Sequence, residues 1–206
     1  MSDVFEYKTI DQPVTDALLK IKGSKFYGLL FPVNHEEDVK KCLKQSQELY
    51  PQATHYCYAF RLGIKGEIHR VNDDGEPSGT SGLPIYNRLV SSELTNVLLI
   101  VVRYFGGTKL GVSGLIKAYR DSAQFTIEQS KISIKELSES YQLSFDYTYQ
   151  SSVMTLLKKL NIEPRSFDFS EKCSLFIEIP MKKKELFFEK FDSLFTQNFV
   201  IQKKVS

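Results

Sequence analysis

The chain has 206 residues, a hydrophobic share of 42%, and 27 lysines and arginines against 25 aspartates and glutamates. This length and apolar content allow one large domain or two small ones. A formal net charge of +2 does not by itself indicate a nucleic-acid-binding protein, so any such contact must come from a local basic patch.

The cysteines and the first residues predict a soluble cytoplasmic protein. Cys42, Cys57 and Cys173 are far apart and form no CxxC pair, which argues against a zinc ribbon and a disulfide framework. The N-terminus carries no apolar signal core, and no run reaches the roughly 20 apolar residues of a membrane span. We expect no membrane contact, no resident metal and no cofactor.

The first third of the chain predicts strands at 5–10, 24–33, 55–61 and 67–71, the last two joined as a hairpin. Between the second and third of these strands, Asn34 is predicted to cap a helix that Pro51 ends. His55 and Cys57 lie two residues apart on one strand, so both point to one face. That geometry can chelate a metal, but without a third ligand a packed strand is the simpler explanation.

Residues 72–82 are the most polar and turn-rich stretch of the chain. A loop of this composition in a compact domain is more often functional than accidental. Its carboxylates could hold a divalent cation through oxygen ligands, although a solvated turn is the simpler explanation. A helix is predicted from Pro84 to about Glu93. The candidate site residues of this loop are Asp73, Asp74, Glu76, Ser78 and Thr80.

The centre of the chain is an unbroken apolar run at 97–102, which predicts a strand covered on both faces. A glycine-rich turn and a helix follow, with Ser113 predicted to cap the helix. Free N–H groups, the positive end of a helix dipole and nearby cations together predict an anion site. Its candidate residues are Arg103, Gly106, Gly107, Lys109, Gly111, Ser113, Gly114 and Lys117.

Two simpler explanations remain open for this turn. The glycines could serve only tight packing between strand and helix, and the cations, with Arg120, could be a solvated rim. The spacing is neither a P-loop nor GxGxxG. We also hypothesise that the polar loop 72–82 faces the turn at Gly106 and Gly107. No nucleophile motif is present, since the serines of the loop form no GxSxG elbow.

From residue 132 the order of predicted elements is β-α-β-β-α-β, which is the ferredoxin-like pattern. The stretch 132–149 is strand-like, helices are predicted at 150–160 and 184–195, and a polar turn is predicted at 170–172. We therefore expect an α+β protein with two domains, at residues 1–131 and 132–206.

Several of these motifs resemble the Impact/YigZ family. The resemblance rests on residues 72–80, 101–107, 110–111 and 114–119, supported by 22–26 and 55–57, in the family's order. It covers about residues 15–130. The C-terminal part looks like the small ferredoxin-like domain that bacterial members append.

The resemblance implies a ribosomal-protein-S5 domain-2-like α/β fold for the first domain. It also implies that both domains are similar to the last two domains of elongation factor G, the second to its domain V. Eukaryotic relatives regulate translation initiation through an additional N-terminal domain that we do not find in this sequence. No established reaction comes with the resemblance.

Three functional hypotheses follow. The leading one is an RNA- or ribosome-associated binding protein linked to the regulation of translation. The alternative is an enzyme acting on a phosphorylated or nucleotide ligand, bound by the turn from Gly106 to Gly114 with a divalent cation. A third is a protein-interaction adaptor that binds no small ligand.

Overall fold

The computed structural model describes residues 5–168, 173–194 and 199–204. It divides into two compact units. The first unit is Glu6–Lys135, and the second comprises the described residues from Glu136 onward together with Phe5. Each unit mixes helices and strands, which confirms the α+β class.

The first unit is built on a five-stranded antiparallel sheet of order β2-β3-β6-β4-β5, with a separate pair formed by β1 and β7. Its elements are, in chain order, β1 (Glu6–Ile10), β2 (Val14–Ile21), β3 (Ser24–Pro32), α1 (Glu36–Leu49), β4 (His55–Leu62), β5 (Ile68–Asn72), α2 (Gly82–Ser91), β6 (Val97–Tyr104), α3 (Gly111–Glu128) and β7 (Ile132–Glu136).

The central strand β6 is buried on both faces, as its unbroken apolar run predicts. Val97, Leu99 and Val101 enter the core that α2 and α3 cover. The alternate residues of β6 enter a second core, together with Val39 of α1. The sheet is therefore packed between helices, because successive side chains of a strand point to opposite faces.

Two local predictions for this unit need correction. Residues 14–21 form strand β2, which the sequence pattern does not predict. The N-cap of α1 is His35 and not Asn34, because the carboxylate of Asp38 accepts hydrogen bonds from the N–H groups of both residues and fixes the helix start one residue later.

The second unit has the predicted β-α-β-β-α-β order over its described residues. Its sheet has the strand order β11-β8-β10-β9, and both helices pack against the same core as the sheet. The predicted turn at 170–172 lies outside the described residues. The elements are β8 (Ser138–Phe145), α4 (Gln150–Lys159), β9 (Pro164–Asp168), β10 (Cys173–Pro180), α5 (Lys184–Leu194) and β11 (Val200–Lys204).

Candidate functional site

Asp73 organises the polar loop 72–82 around the start of α2. Its Oδ1 accepts hydrogen bonds from the Ser81 N–H (3.0 Å), the Gly82 N–H (2.8 Å) and the Ser81 hydroxyl (2.6 Å), and its Oδ2 accepts one from the Gly79 N–H (2.8 Å). Burial alone would raise the pKa of Asp73, but these hydrogen bonds favour the charged form and hold the pKa below its ordinary value. Asp73 therefore stabilises a helix start, and both of its oxygens are occupied.

The neighbouring loop residues fasten the loop to β4. The Oδ2 of Asp74 accepts a hydrogen bond from the N–H of Tyr56 at 2.6 Å, and the Asp74 carbonyl oxygen lies 2.7 Å from Nδ1 of His55. The buried hydroxyl of Thr80 donates to a carbonyl within the loop at 2.6 Å, whereas Ser78 is exposed. These contacts hold the loop as an ordered element of the first unit.

Glu76 is the loop residue that reaches the protein interior. Its Oε1 lies 2.5 Å from Nη1 of Arg103 and accepts a hydrogen bond from Tyr119 Oη at 2.8 Å. The Arg103 guanidinium also packs on the rings of Phe26 and Phe105, 5.5 Å from each centroid. Both charged side chains are buried, so Arg103 is one half of an internal ion pair and not a cation of a solvated rim.

Cys57 lies in the same buried cluster. Its Sγ is 3.0 Å from the carbonyl oxygen of Asp73 and 3.3 Å from Tyr119 Oη. Burial raises the pKa of the Cys57 thiol to about 12, and burial also raises the pKa of Tyr119. Burial therefore disfavours the thiolate, which is the form of cysteine that acts as a nucleophile. Both His55 and Cys57 contact the loop: Nδ1 of His55 and Sγ of Cys57 lie against loop carbonyl oxygens, and Nε2 of His55 lies 3.8 Å from Oε1 of Glu76.

Gly106 is pressed against Gly23, the turn residue between β2 and β3. A Cβ built on Gly106 would lie 1.9 Å from the carbonyl carbon of Gly23, so a side chain does not fit there. Ser24 strengthens the contact, because its Oγ accepts a hydrogen bond from the Gly106 N–H at 3.1 Å. This glycine therefore serves close backbone packing, although its partner is a hairpin turn and not the following helix.

The rest of the glycine-rich turn is exposed and leads directly into α3. Gly107 and Lys109 are exposed, and α3 begins at Gly111 with Leu110 as its N-cap. The prediction that Ser113 caps this helix is wrong, because Ser113 is the third helical residue and the chain enters the helix through the positive φ of Gly111. Within the described residues no side chain caps this end, so its first N–H groups face the surface near Lys109.

Exposed lysines surround the turn. Lys22 and Lys117 lie along a groove of about 500 Å³ between β2 and α3, which Gly114 and Asp121 also line. Lys109 lies on the turn itself, and Lys25 lies on β3. Across the described residues none of these four lysines pairs with a carboxylate. They form what we call the lysine surface: Lys22, Lys25, Lys109 and Lys117.

The structure thus separates the predicted site residues into two groups. Asp73, Glu76, Thr80 and Arg103 belong to the ordered loop and its buried ion pair, and Asp74 binds the backbone of β4. Ser78 is exposed on the same loop. The remaining candidates lie around the turn and the start of α3, where Gly114 is half-buried and the others are exposed: Gly106, Gly107, Lys109, Gly111, Ser113, Gly114 and Lys117. The link between the polar loop and the turn is the pair of Glu76 with Arg103.

Sequence reasoning missed Ser24 and Tyr119 as site residues. It also missed three tyrosines that line a recess beside the turn, Tyr27, Tyr50 and Tyr104. Ser24 and Tyr119 lie within the family-like motifs, so their position in those motifs was an available signal. Among the described residues, no group of three or more His, Cys, Asp or Glu side chains is placed to hold a metal ion.

The relationship to known proteins agrees with these motifs. The family model described as the Impact N-terminal domain matches residues 22–127. An Impact family member of Haemophilus influenzae is 31% identical over 185 residues, which cover 89% of this chain and 90% of that protein. The chain belongs to the Impact family.

Other comparisons extend this membership. The Impact family member YigZ of Escherichia coli is 34% identical over 119 residues, which cover 57% of this chain and 58% of that protein. Further bacterial relatives are matched over only about half of their length. A crystal structure described as a hypothetical protein superposes with a TM-score of 0.67 at 25% identity, and the match covers 98% of this Impact-family chain and 99% of the other.

Among the described residues, no helix combines the length and the apolar character that crossing a bilayer requires.

Proposed function

We propose that this Impact-family protein binds RNA or the ribosome through its lysine surface and acts in the regulation of translation. The observation that carries the proposal is the exposed glycine turn with the uncapped start of α3, surrounded by four lysines that pair with no carboxylate in the described residues. Phosphate groups are bound by lysines and by the N–H groups of helix starts.

The distribution of acidic groups supports this proposal. Two acidic residues of the polar loop are compensated within the protein, because Glu76 is neutralised by Arg103 and Asp73 is satisfied by N–H and hydroxyl donors. Asp121, which lines the groove with Lys22 and Lys117, pairs with Arg120. Their negative charge therefore repels a polyanion less than the acidic sequence of the loop suggests. A chain with a small net charge can therefore still present a local cationic surface.

The second unit supports a joint mode of binding. Its resemblance to elongation factor G domain V implies contact with the ribosome, and Lys158 and Lys159 lie exposed at the end of α4. Two weakly binding modules on one chain bind more tightly together than either does alone. We therefore expect the full chain to bind RNA more tightly than the charge of one surface predicts.

The enzyme alternative has less support in the geometry. A divalent cation would need free carboxylates, but Asp73 and Glu76 are engaged by protein donors and Asp74 is held by Tyr56. No thiolate is available at neutral pH from Cys57. We therefore make binding, and not turnover, the proposed function.

The first test is sedimentation of cell lysate through sucrose gradients at low and moderate salt. Co-migration of the protein with ribosomal subunits that weakens as salt rises is the expected result, because phosphate contacts release counterions. A protein that stays at the top of the gradient at both salt concentrations contradicts ribosome association.

A variant set connects this behaviour to the surface. Replacing Lys22, Lys109 and Lys117 by Ala should reduce the slope of log affinity against log salt by about 2 for single-stranded RNA. The matched control removes the exposed lysines Lys40, Lys41 and Lys44 of α1. Equal effects of the two triple variants would place the contact elsewhere and would refute the proposed surface.

A further inference from the structure

A recess lined by aromatic rings opens beside the lysine surface. It has a volume of about 270 Å³ and is lined by Gly23, Lys25, Tyr27, Tyr50, Tyr104 and Phe105. We propose that this recess binds one unpaired base of a single-stranded RNA by stacking. The inference rests on the proposed RNA binding and specifies which form of RNA is bound.

The four rings come from β3, from the residue after α1 and from the end of β6, and they meet in one place. The centroids of Tyr27 and Tyr50 are 4.5 Å apart with a tilt of 36°, and those of Tyr27 and Tyr104 are 5.9 Å apart at 81°. Phe105, directly after β6, remains 47% exposed. An exposed ring beside a recess offers a planar base a stacking partner, and every base has a face suited to it.

Hydrogen bonds hold two of these rings in position. The hydroxyl of Tyr50 donates to the carbonyl oxygen of Thr15 at 2.6 Å, and the hydroxyl of Tyr104 donates to that of Pro51 at 3.0 Å. The recess is therefore formed before a ligand arrives, and little side-chain entropy is lost on binding. Because phenols that donate in this way are neutral, they add no negative charge against a nucleic acid.

Charge at the recess favours a nucleotide over an uncharged ring. Lys25 is its charged lining residue. The guanidinium carbon of Arg103 lies 5.5 Å from the ring centroid of Phe105. The recess adjoins the turn directly, because Gly23 lines it and also contacts Gly106. A base in the recess would thus place its phosphates beside Lys25 and the neighbouring lysines.

The size of the recess restricts the occupant. Its volume lies below the roughly 300–1,000 Å³ of pockets for drug-sized ligands, which suits a single ring system. In a duplex the bases are already stacked and paired, so none is available to enter. Single-stranded segments present the splayed bases that aromatic side chains recognise.

The test compares Phe105→Leu with the wild-type chain on two probes, an oligouridine and its duplex with oligoadenosine of equal length. We expect the variant to bind the single strand about tenfold more weakly, which corresponds to one lost stacking contact, and to bind the duplex as the wild type does. Phe167→Leu, on the similarly exposed Phe167 of β9, is the matched control and should change neither affinity.

Tyrosine fluorescence supplies a second measurement, because the chain has 11 tyrosines and no tryptophan. Oligouridine should quench part of this emission in the wild type. If Phe105→Leu loses equal affinity for both probes, or loses none for either, the recess does not bind a base. If the triple lysine variant still weakens binding in that case, the proposed function stands and only the base site is refuted.

Discussion

Glu76 Oε1 lies 2.5 Å from Arg103 Nη1, although 27 residues separate them along the chain and both side chains are buried. The pair joins the polar loop 72–82 to the end of β6, next to the glycine turn. Two buried opposite charges compensate each other only while both are present. The ion pair is therefore a structural connection, and its loss should destabilise both the polar loop 72–82 and the end of β6.

Replacing either member of this pair alone should be costly. We expect Glu76→Gln to lower the free energy of unfolding by roughly 3–5 kcal/mol, because Arg103 is left as an uncompensated buried charge. Glu76→Gln combined with Arg103→Met should cost less than the sum of the single variants. Urea unfolding of the four proteins measures the coupling, and strictly additive effects would contradict it.

The hydrogen bonds of Glu139 predict how acid changes the stability of the second unit. Its hydrogen bonds from Lys184, Lys203 and Tyr141 lower its pKa to about 2. A lowered folded-state pKa means that the stabilisation is complete above the unfolded value, about 4.3, and is lost as pH falls towards 2. The difference in unfolding free energy between wild type and Glu139→Gln should therefore be largest near neutral pH and should vanish in strong acid.

The control for this titration is Glu163→Gln, which changes an exposed carboxylate of the same unit. The free energy of unfolding of Glu163→Gln should stay close to that of the wild type from neutral pH to strong acid. If the free-energy difference between Glu139→Gln and the wild type does not change with pH, the pKa of Glu139 is not lowered.

Thiol labelling checks the environment of Cys57. In the folded protein we expect iodoacetamide to modify the half-buried Cys42 first and to leave Cys57 unmodified, because Cys57 is buried and its pKa is about 12. Peptide mass spectrometry identifies the modified residue. Labelling in urea is the control, where the two thiols should react alike, and equal rates in the native protein would refute the buried cluster.

A methyl group at Gly106 should displace the turn. Because its Cβ would overlap the backbone of Gly23, we expect Gly106→Ala to lower the free energy of unfolding by roughly 1–3 kcal/mol and to weaken oligouridine binding. Gly114→Ala is the matched control. Its Cβ would lie 3.1 Å from Leu110 Cβ inside α3, so helix propensity and crowding should offset to within about 1 kcal/mol. Equal effects of the two variants would contradict the close contact at Gly106.

Much of the fold follows from local patterns in the sequence. The run at 97–102 predicts a doubly buried strand because every residue is apolar, and the second unit follows from alternating strands and two amphipathic helices. Strand β2 has no such pattern. It is an edge strand whose residues are mostly half-exposed, and adjacent leucines at Leu18 and Leu19 obscure its alternation.

The candidate site was less predictable because its contacts are non-local. An acidic turn has the same sequence pattern whether its carboxylates are solvated or buried, so no local pattern indicates that Glu76 reaches Arg103 and Tyr119. The tyrosines of the recess lie on β3, after α1 and on β6, and only the folded sheet brings them together. Ser113 followed a common capping pattern, but the positive φ of Gly111 starts the helix earlier.

Strand β6 contributes alternate side chains to both cores of the first unit. A shift of its register by one residue would exchange every side chain between the two cores, and each core would then receive residues shaped for the other. The strand therefore cannot separate from one helical layer while remaining docked on the other. We expect its amides to exchange with solvent mainly when the whole unit opens, so that the lysine surface and the polar loop share a single unfolding event.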